Sequence, residues 1–157
     1  MKKRFAAVLA AAMLLLTSCA GRFHTEAPME SFSFSHSGMH SDSIYTLSIQ
    51  KTEQGWRAEL DLLAGNRLHI LPVSQAEADA LAALLDAHDL WSWAGFDKVD
   101  KRVLDGTGFD LNIRFADGKK LIASGSNAFP KGYNEAKEAI KAFFIQIMEN
   151  KGISNPF

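Results

Sequence analysis

The sequence predicts an α+β domain: an antiparallel sheet of about five strands with two helices packed on one face. Three observations carry that expectation. Short runs alternate apolar and polar residues, two longer segments repeat apolar residues at helical spacing, and no strand-like run is apolar on both faces as a buried parallel strand would be. The order of these runs, strands, helix, hairpin, helix, lets both helices cover the same side of the sheet.

At 157 residues the chain has the length of one domain with a sizeable core. Strand patterning begins at residues 31–37, SFSFSHS, where Phe32, Phe34 and His36 share one face and the serines the other. Tyr45, Leu47 and Ile49 repeat the alternation. So do Trp56, Ala58, Leu60 and Leu62, with Arg57, Glu59 and Asp61 facing out. The break over 51–55 is short and holds Gly55, so these two runs read as an antiparallel hairpin. Residues 67–71 add a brief strand before Pro72, which cannot donate to a ladder.

Ser74-Gln75-Ala76-Glu77 has the form of a capping box, in which hydroxyl and carboxylate each take a free backbone N–H at the helix start. The helix it opens carries Ala78, Leu81, Leu84, Leu85 and His88 on one stripe and is expected to end near Asp89 or Leu90. Trp91, Trp93 and Phe96 follow and hold too much apolar area to leave in water; they are expected to cover an edge or end of the core.

Phe109, Leu111, Ile113 and Phe115 then alternate with Asp110, Asn112 and Arg114, and Asp117-Gly118 leads into Leu121, Ile122 and Ala123. An Asp-Gly step between apolar runs signals a hairpin, because both residues accept positive φ. The register stays open, since a two-residue turn would set Lys120 opposite Phe115. Asn134 is placed to cap the last helix, with Glu135 and Glu138 in its first turn. Its stripe is Ala136, Ile140, Phe143 and Ile147, flanked by Ala139 and Phe144, and it is expected to stop at Asn150 to Gly152.

The chain opens with MKKR, an apolar run over 5–16, and small residues up to Cys19, the pattern of a secretory signal. The run is shorter than the roughly 20 apolar residues a spanning helix needs. Leu16-Thr17-Ser18-Cys19 resembles the lipobox of bacterial lipoproteins. The resemblance implies a diacylglycerol on the Cys19 sulfur, cleavage just before it and acylation of the new N-terminus. It divides the chain into a signal peptide (1–18), a lipidated tether (19–30), a single domain (31–152) and a loose tail (153–157). It implies an exported protein held to a membrane by lipid, and Ala20 resembles the class sent to the periplasmic face of the outer membrane where the host has one.

Loss of Lys2, Lys3 and Arg4 with the signal lowers the formal net charge from −1 to −4, which gives no reason to expect a nucleic-acid partner. With Cys19 lipidated the body has no thiol, which excludes a cysteine nucleophile, a disulfide, an iron–sulfur cluster and a cysteine-type zinc site.

Few constellations offer chemistry. His36 and His40, with Asp42 nearby, sit about 13 Å apart if the strand continues, too far for one ion, so no metal is expected. His88 reads as a histidine at a helix end, near the negative pole of the dipole. Residues 103–108, VLDGTG, precede a strand, whereas a phosphate loop follows one and opens a helix; they read as a turn. Residues 124–130, GSNAFP with its leading serine, lack the second glycine of a nucleophile elbow. Asp105 and Asn127 flank the same hairpin and are the candidate ligand-facing pair, with Asn127 bonding across to Asp105 or its neighbours.

Over residues 90–145 the pattern of a tryptophan–phenylalanine pair, VLDG, an alternating strand with Asp-Gly and then GSNAFP resembles uncharacterised bacterial envelope lipoprotein families. That resemblance implies a shared fold and assigns no catalytic residue and no cofactor. The expected function is therefore a lipid-anchored, non-enzymatic binding or interaction module whose partner is an envelope protein or small ligand. Two alternatives stand beside it: a small envelope hydrolase built on the Asp105 and Asn127 loops, and an inhibitor or assembly factor that pairs through an exposed sheet edge. The serine-rich strand over 31–37, with no lysine or proline to blunt it, is the candidate edge.

Overall fold

The computed structural model describes residues 23–103, 106–155 and 157; Cys19 and Asp105 lie outside them. Among the described residues, seven strands form one sheet: β1 (Met29–Ser37), β2 (Tyr45–Thr52), β3 (Gly55–Leu62), β4 (Arg67–Val73), β5 (Asp97–Val99), β6 (Gly108–Phe115) and β7 (Lys120–Ser126). Helix α1 (Gln75–Ala87) follows β4, and α2 (Tyr133–Asn150) follows β7. The class is α+β, as the alternation and helical stripes predict.

The sheet order is β4-β3-β2-β1-β6-β7-β5, antiparallel throughout except that β5 runs parallel to β7. The expectation of about five antiparallel strands is thus corrected to a seven-stranded mixed sheet. β5 escapes a periodicity reading because it has three residues, all exposed, and so no alternation. Its place is set by neighbours: Ser124 N–H donates to the Phe96 carbonyl at 2.8 Å and Asp100 N–H to the Ser126 carbonyl at 2.9 Å.

β1 lies in the middle of the sheet. Phe34 pairs with Leu47 of β2 on one side and Leu111 of β6 on the other, so the backbone of the serine-rich strand is occupied on both sides. The expectation that this strand is an edge is corrected. The true edges are β4, which continues through Pro72 to Val73 rather than ending at Leu71, and the short β5.

The core is the inward face of the sheet plus the helical stripes. Phe32, Phe34, Leu47, Ile49, Leu60 and Ile113 meet Leu81 and Leu85 of α1 and Ile140 and Phe144 of α2 in a single apolar cluster. Ser74 caps α1 as its sequence predicts: its hydroxyl accepts from Glu77 N–H at 3.2 Å while the Glu77 carboxylate accepts from Ser74 N–H at 2.6 Å. Lys151, just past α2, reaches the other Glu77 oxygen at 3.4 Å and ties the two helices together.

Two boundaries differ from expectation. α2 begins at Tyr133 behind Gly132 (φ +77°) rather than at a cap on Asn134, because Tyr133 belongs to the buried stripe at i, i+3, i+7 with Ala136 and Ile140. At the β6–β7 hairpin, Phe115 N–H donates to Lys119 carbonyl and Gly118 (φ +81°) closes the turn onto Phe115, a three-residue loop with glycine in the left-handed position. That turn sets Lys120 opposite Arg114 with both side chains outward, and leaves the inward face to Phe115 and Leu121. Beyond α2, Ile153 packs partly on the core and the Phe157 ring lies edge-on to Tyr45. No helix of the described residues is long and apolar enough to cross a membrane.

Candidate functional site

The loop cleft that holds Asn127 is polar and open, about 420 Å³, between β5, the end of β7 and the segment leading into β6. Asn127 follows β7 in the left-handed region (φ +54°), a conformation asparagine accepts more readily than most residues. Its amide oxygen accepts from Thr107 N–H at 2.9 Å, its Nδ2 donates to the Val103 carbonyl at 3.4 Å, and its own N–H donates to the Thr107 carbonyl at 2.8 Å. The residue therefore ties Val103 and Thr107, which stand two residues either side of Asp105, to the end of β7. Gly106 lies so close to that amide that a Cβ there would overlap it. On the far side of the cleft Asp97 accepts from the Ser124 hydroxyl at 3.0 Å, and Asp100 is held by Arg102 through two side-chain bonds of 2.9 and 2.7 Å. Those bonds keep the Asp100 carboxyl below its usual range.

Among the described residues, His36 is the polar side chain buried in the core. Its Nδ1 shares a 2.8 Å hydrogen bond with the Tyr133 hydroxyl, and its ring also lies 5.4 Å from that of Tyr45. Burial first, then Lys137, lowers its pKa from 6.5 to about 4; Glu138 works in the opposite direction and Lys141 in the same one. Tyr133 is pushed well above the usual tyrosine value by burial, then by Tyr45 and Glu138. At neutral pH both members of the pair are uncharged. Neither gains or yields a proton there, so the pair builds the core and does not suit general acid–base work.

The other histidines lie apart. His40 precedes the short 3-10 turn Ser41–Ser43, its carbonyl accepting from the Ser43 hydroxyl at 2.6 Å. His88 caps the C-terminus of α1 through its backbone N–H, as a helix-end histidine. His69 of β4, which the sequence reading passed over, has a buried Nε2 with no hydrogen-bond partner among the described residues. No group of three metal-ligating side chains occurs among the described residues.

The helices leave the outward face of the sheet uncovered. Ser33 is flanked by Ser48 of β2 and Asn112 of β6, and the Ser35 and Thr46 hydroxyls share a 2.9 Å bond. Ser31, Ser33, Ser48 and Asn112, with Gln50 and Arg114, line a trough of about 320 Å³. Ile122 of β7, 54% exposed, lies beside Asn112 on one side, whereas on the other the charged Arg57, Glu59 and Asp61 of β3 stand between the trough and the exposed Leu68 and Ile70 of β4. The alternation in the sequence placed the serines outward; that they lie at the centre of a seven-stranded face follows only from the strand order.

A second cleft, more apolar and about 750 Å³, opens where the chain enters the domain. Phe23, Met29, Ala82, Trp91 and Phe115 line it, with His24 and Asp86 at its rim. The sequence marked Trp91 as a cover for an end of the core; Phe23, in a segment without periodicity, carried no signal.

The chain matches no protein-family model and no curated protein.

Proposed function

We propose that the protein is a lipid-anchored component of the bacterial envelope that works by binding a protein partner on the open face of its sheet. The lipobox Leu16-Thr17-Ser18-Cys19 carries the anchoring part of this reading, through the position of the motif at the end of a signal segment. The binding part is supported by the uncovered face: a floor of Ser31, Ser33, Ser48 and Asn112, with the exposed Ile122 on one side and the Arg57–Glu59 ion pair of β3 on the other, suits the side chains of a protein surface, which would gain both polar contacts and buried apolar area. A hydrolase at the Asp105 and Asn127 loops is favoured less, because the Asn127 amide is already bonded at both ends to its own loop.

Palmitate labelling of cells that express the wild type or Cys19→Ala tests the anchor: label is expected on the wild type alone, and equal labelling would remove the anchoring claim. A photo-reactive residue at Ser33, compared with one at Gln146 on the exposed side of α2, tests the surface. Adducts with an envelope protein are expected from Ser33 and not from Gln146. Recovery from Ser33 of self or lipid products alone would sink the binding claim.

A further inference from the structure

The tether is docked on the body. From Phe23 to Pro28 it runs along the β6–β7 turn: the Thr25 hydroxyl donates to Asp117 at 2.9 Å, Lys119 Nζ donates to the His24 carbonyl at 3.2 Å, and Ala116 N–H donates to the Pro28 carbonyl at 3.0 Å. The Phe23 ring sits 5.4 Å from Phe115 and 6.4 Å from Trp91. Cys19 lies four residues before Phe23, and four residues span at most about 14 Å of extended chain. A lipid on Cys19 would thus be held within that distance of the apolar cleft.

We infer that the end of the domain bearing this cleft, with Phe23 and Trp91 at its mouth, is seated on the bilayer interface, so that the membrane itself covers the cleft. This rests on the anchoring reading above. The chemistry fits an interface: Trp91 Nε1 donates to Asp86 at 2.7 Å, so the indole brings a half-buried apolar ring toward lipid without an unpaired donor. The leash fits as well. A free tether of a dozen residues would let the domain tumble above the membrane, whereas one pinned from Phe23 onward presents a single end to it. The trough of the open sheet face adjoins this root at Ser31 and Arg114, beside Met29 and Phe115, and leads away from it to Ser33 and Ser48, which remain available to a partner.

The test uses the full lipidated protein in phosphatidylcholine vesicles, some of whose acyl chains are brominated near the carbonyl end. Mass spectrometry of the N-terminal peptide first reports the state of Cys19. Brominated lipid is expected to quench part of the wild-type tryptophan emission, a loss that Trp91→Phe abolishes because Trp56 and Trp93 are buried away from solvent. Phe23→Trp, which leaves Trp91 in place, is expected to add a further quenched component and serves if Trp91→Phe does not fold. Equal quenching of wild type and Trp91→Phe, or an added emission component in Phe23→Trp that brominated lipid leaves unquenched, on a chain whose Cys19 carries lipid would overturn the seating; so would Trp91 emission shielded from lipid by a small apolar ligand in the cleft. An unmodified Cys19 peptide would instead overturn the anchor, and this inference with it.

Discussion

Asn127 shows how one residue can look like a ligand contact in the sequence and act as a structural clip in the fold. Its left-handed φ suits asparagine, and its amide closes the loop that leads into β6. Asn127→Ala removes the acceptor for the Thr107 N–H and puts an alanine at positive φ, so it is expected to cost about 1–3 kcal/mol in urea unfolding. Asn127→Asp keeps the acceptor for Thr107 but sets a carboxylate oxygen against the Val103 carbonyl, so it should retain part of that stability. If alanine and aspartate were equally destabilising, the clip would not depend on the Oδ1 bond. Both features, polar type and position between glycine-rich turns, were visible in the sequence. A bond across to Asp105 or its neighbours was expected from the sequence, but its partners, the Thr107 N–H and the Val103 carbonyl, were not, because which backbone group lies opposite Oδ1 is decided by the β6–β7 register.

At the scale of elements, the strongest local signals held. The capping box at Ser74 is formed with both reciprocal bonds, and Ser74→Ala is expected to lower stability by about 1 kcal/mol, readable as a shift in the unfolding midpoint at unchanged slope. A loss well below that would mean that Lys151, through Glu77, holds the helix start without the cap. The Asp-Gly hairpin was legible as well, though its three-residue loop was not. Elements without a period were harder. β5 is too short to alternate, and the start of α2 moved to Tyr133 because a buried aromatic outweighed an exposed cap residue.

For the whole molecule, the His36–Tyr133 pair couples the middle of the sheet to α2 and makes stability depend on pH. The unfolded chain protonates His36 near its ordinary 6.5, while the folded protein resists until about 4. Between these values the unfolded state binds more protons. Stability is therefore full above about 6.5 and falls as the pH drops toward 4, by at most about 3.5 kcal/mol at about 1.4 kcal/mol per unit. Lys137, Glu138 and Lys141 of α2 and Tyr45 of β2 face the same group, so the slope is read as a difference: urea unfolding of the wild type and His36→Gln across this range. Parallel curves would show that His36 does not carry the dependence.

Taken alone, the sequence determined the class of the domain, the inward and outward faces of its longer strands, most of the helix stripes, though α2 buries Phe144 and Met148 where Phe143 was expected, and the resemblance of its N-terminus to a lipobox. Those are local properties, written in periodicity, caps and turn chemistry within a dozen residues. Only the tertiary structure decided that the serine strand is central, that a parallel edge strand completes the sheet, that Asn127 closes a loop and that the tether lies pinned beside Trp91 and Phe115. Each of those depends on which distant segments pair. Pairing is chosen by the shared burial of residues far apart in the chain, and no local pattern records it.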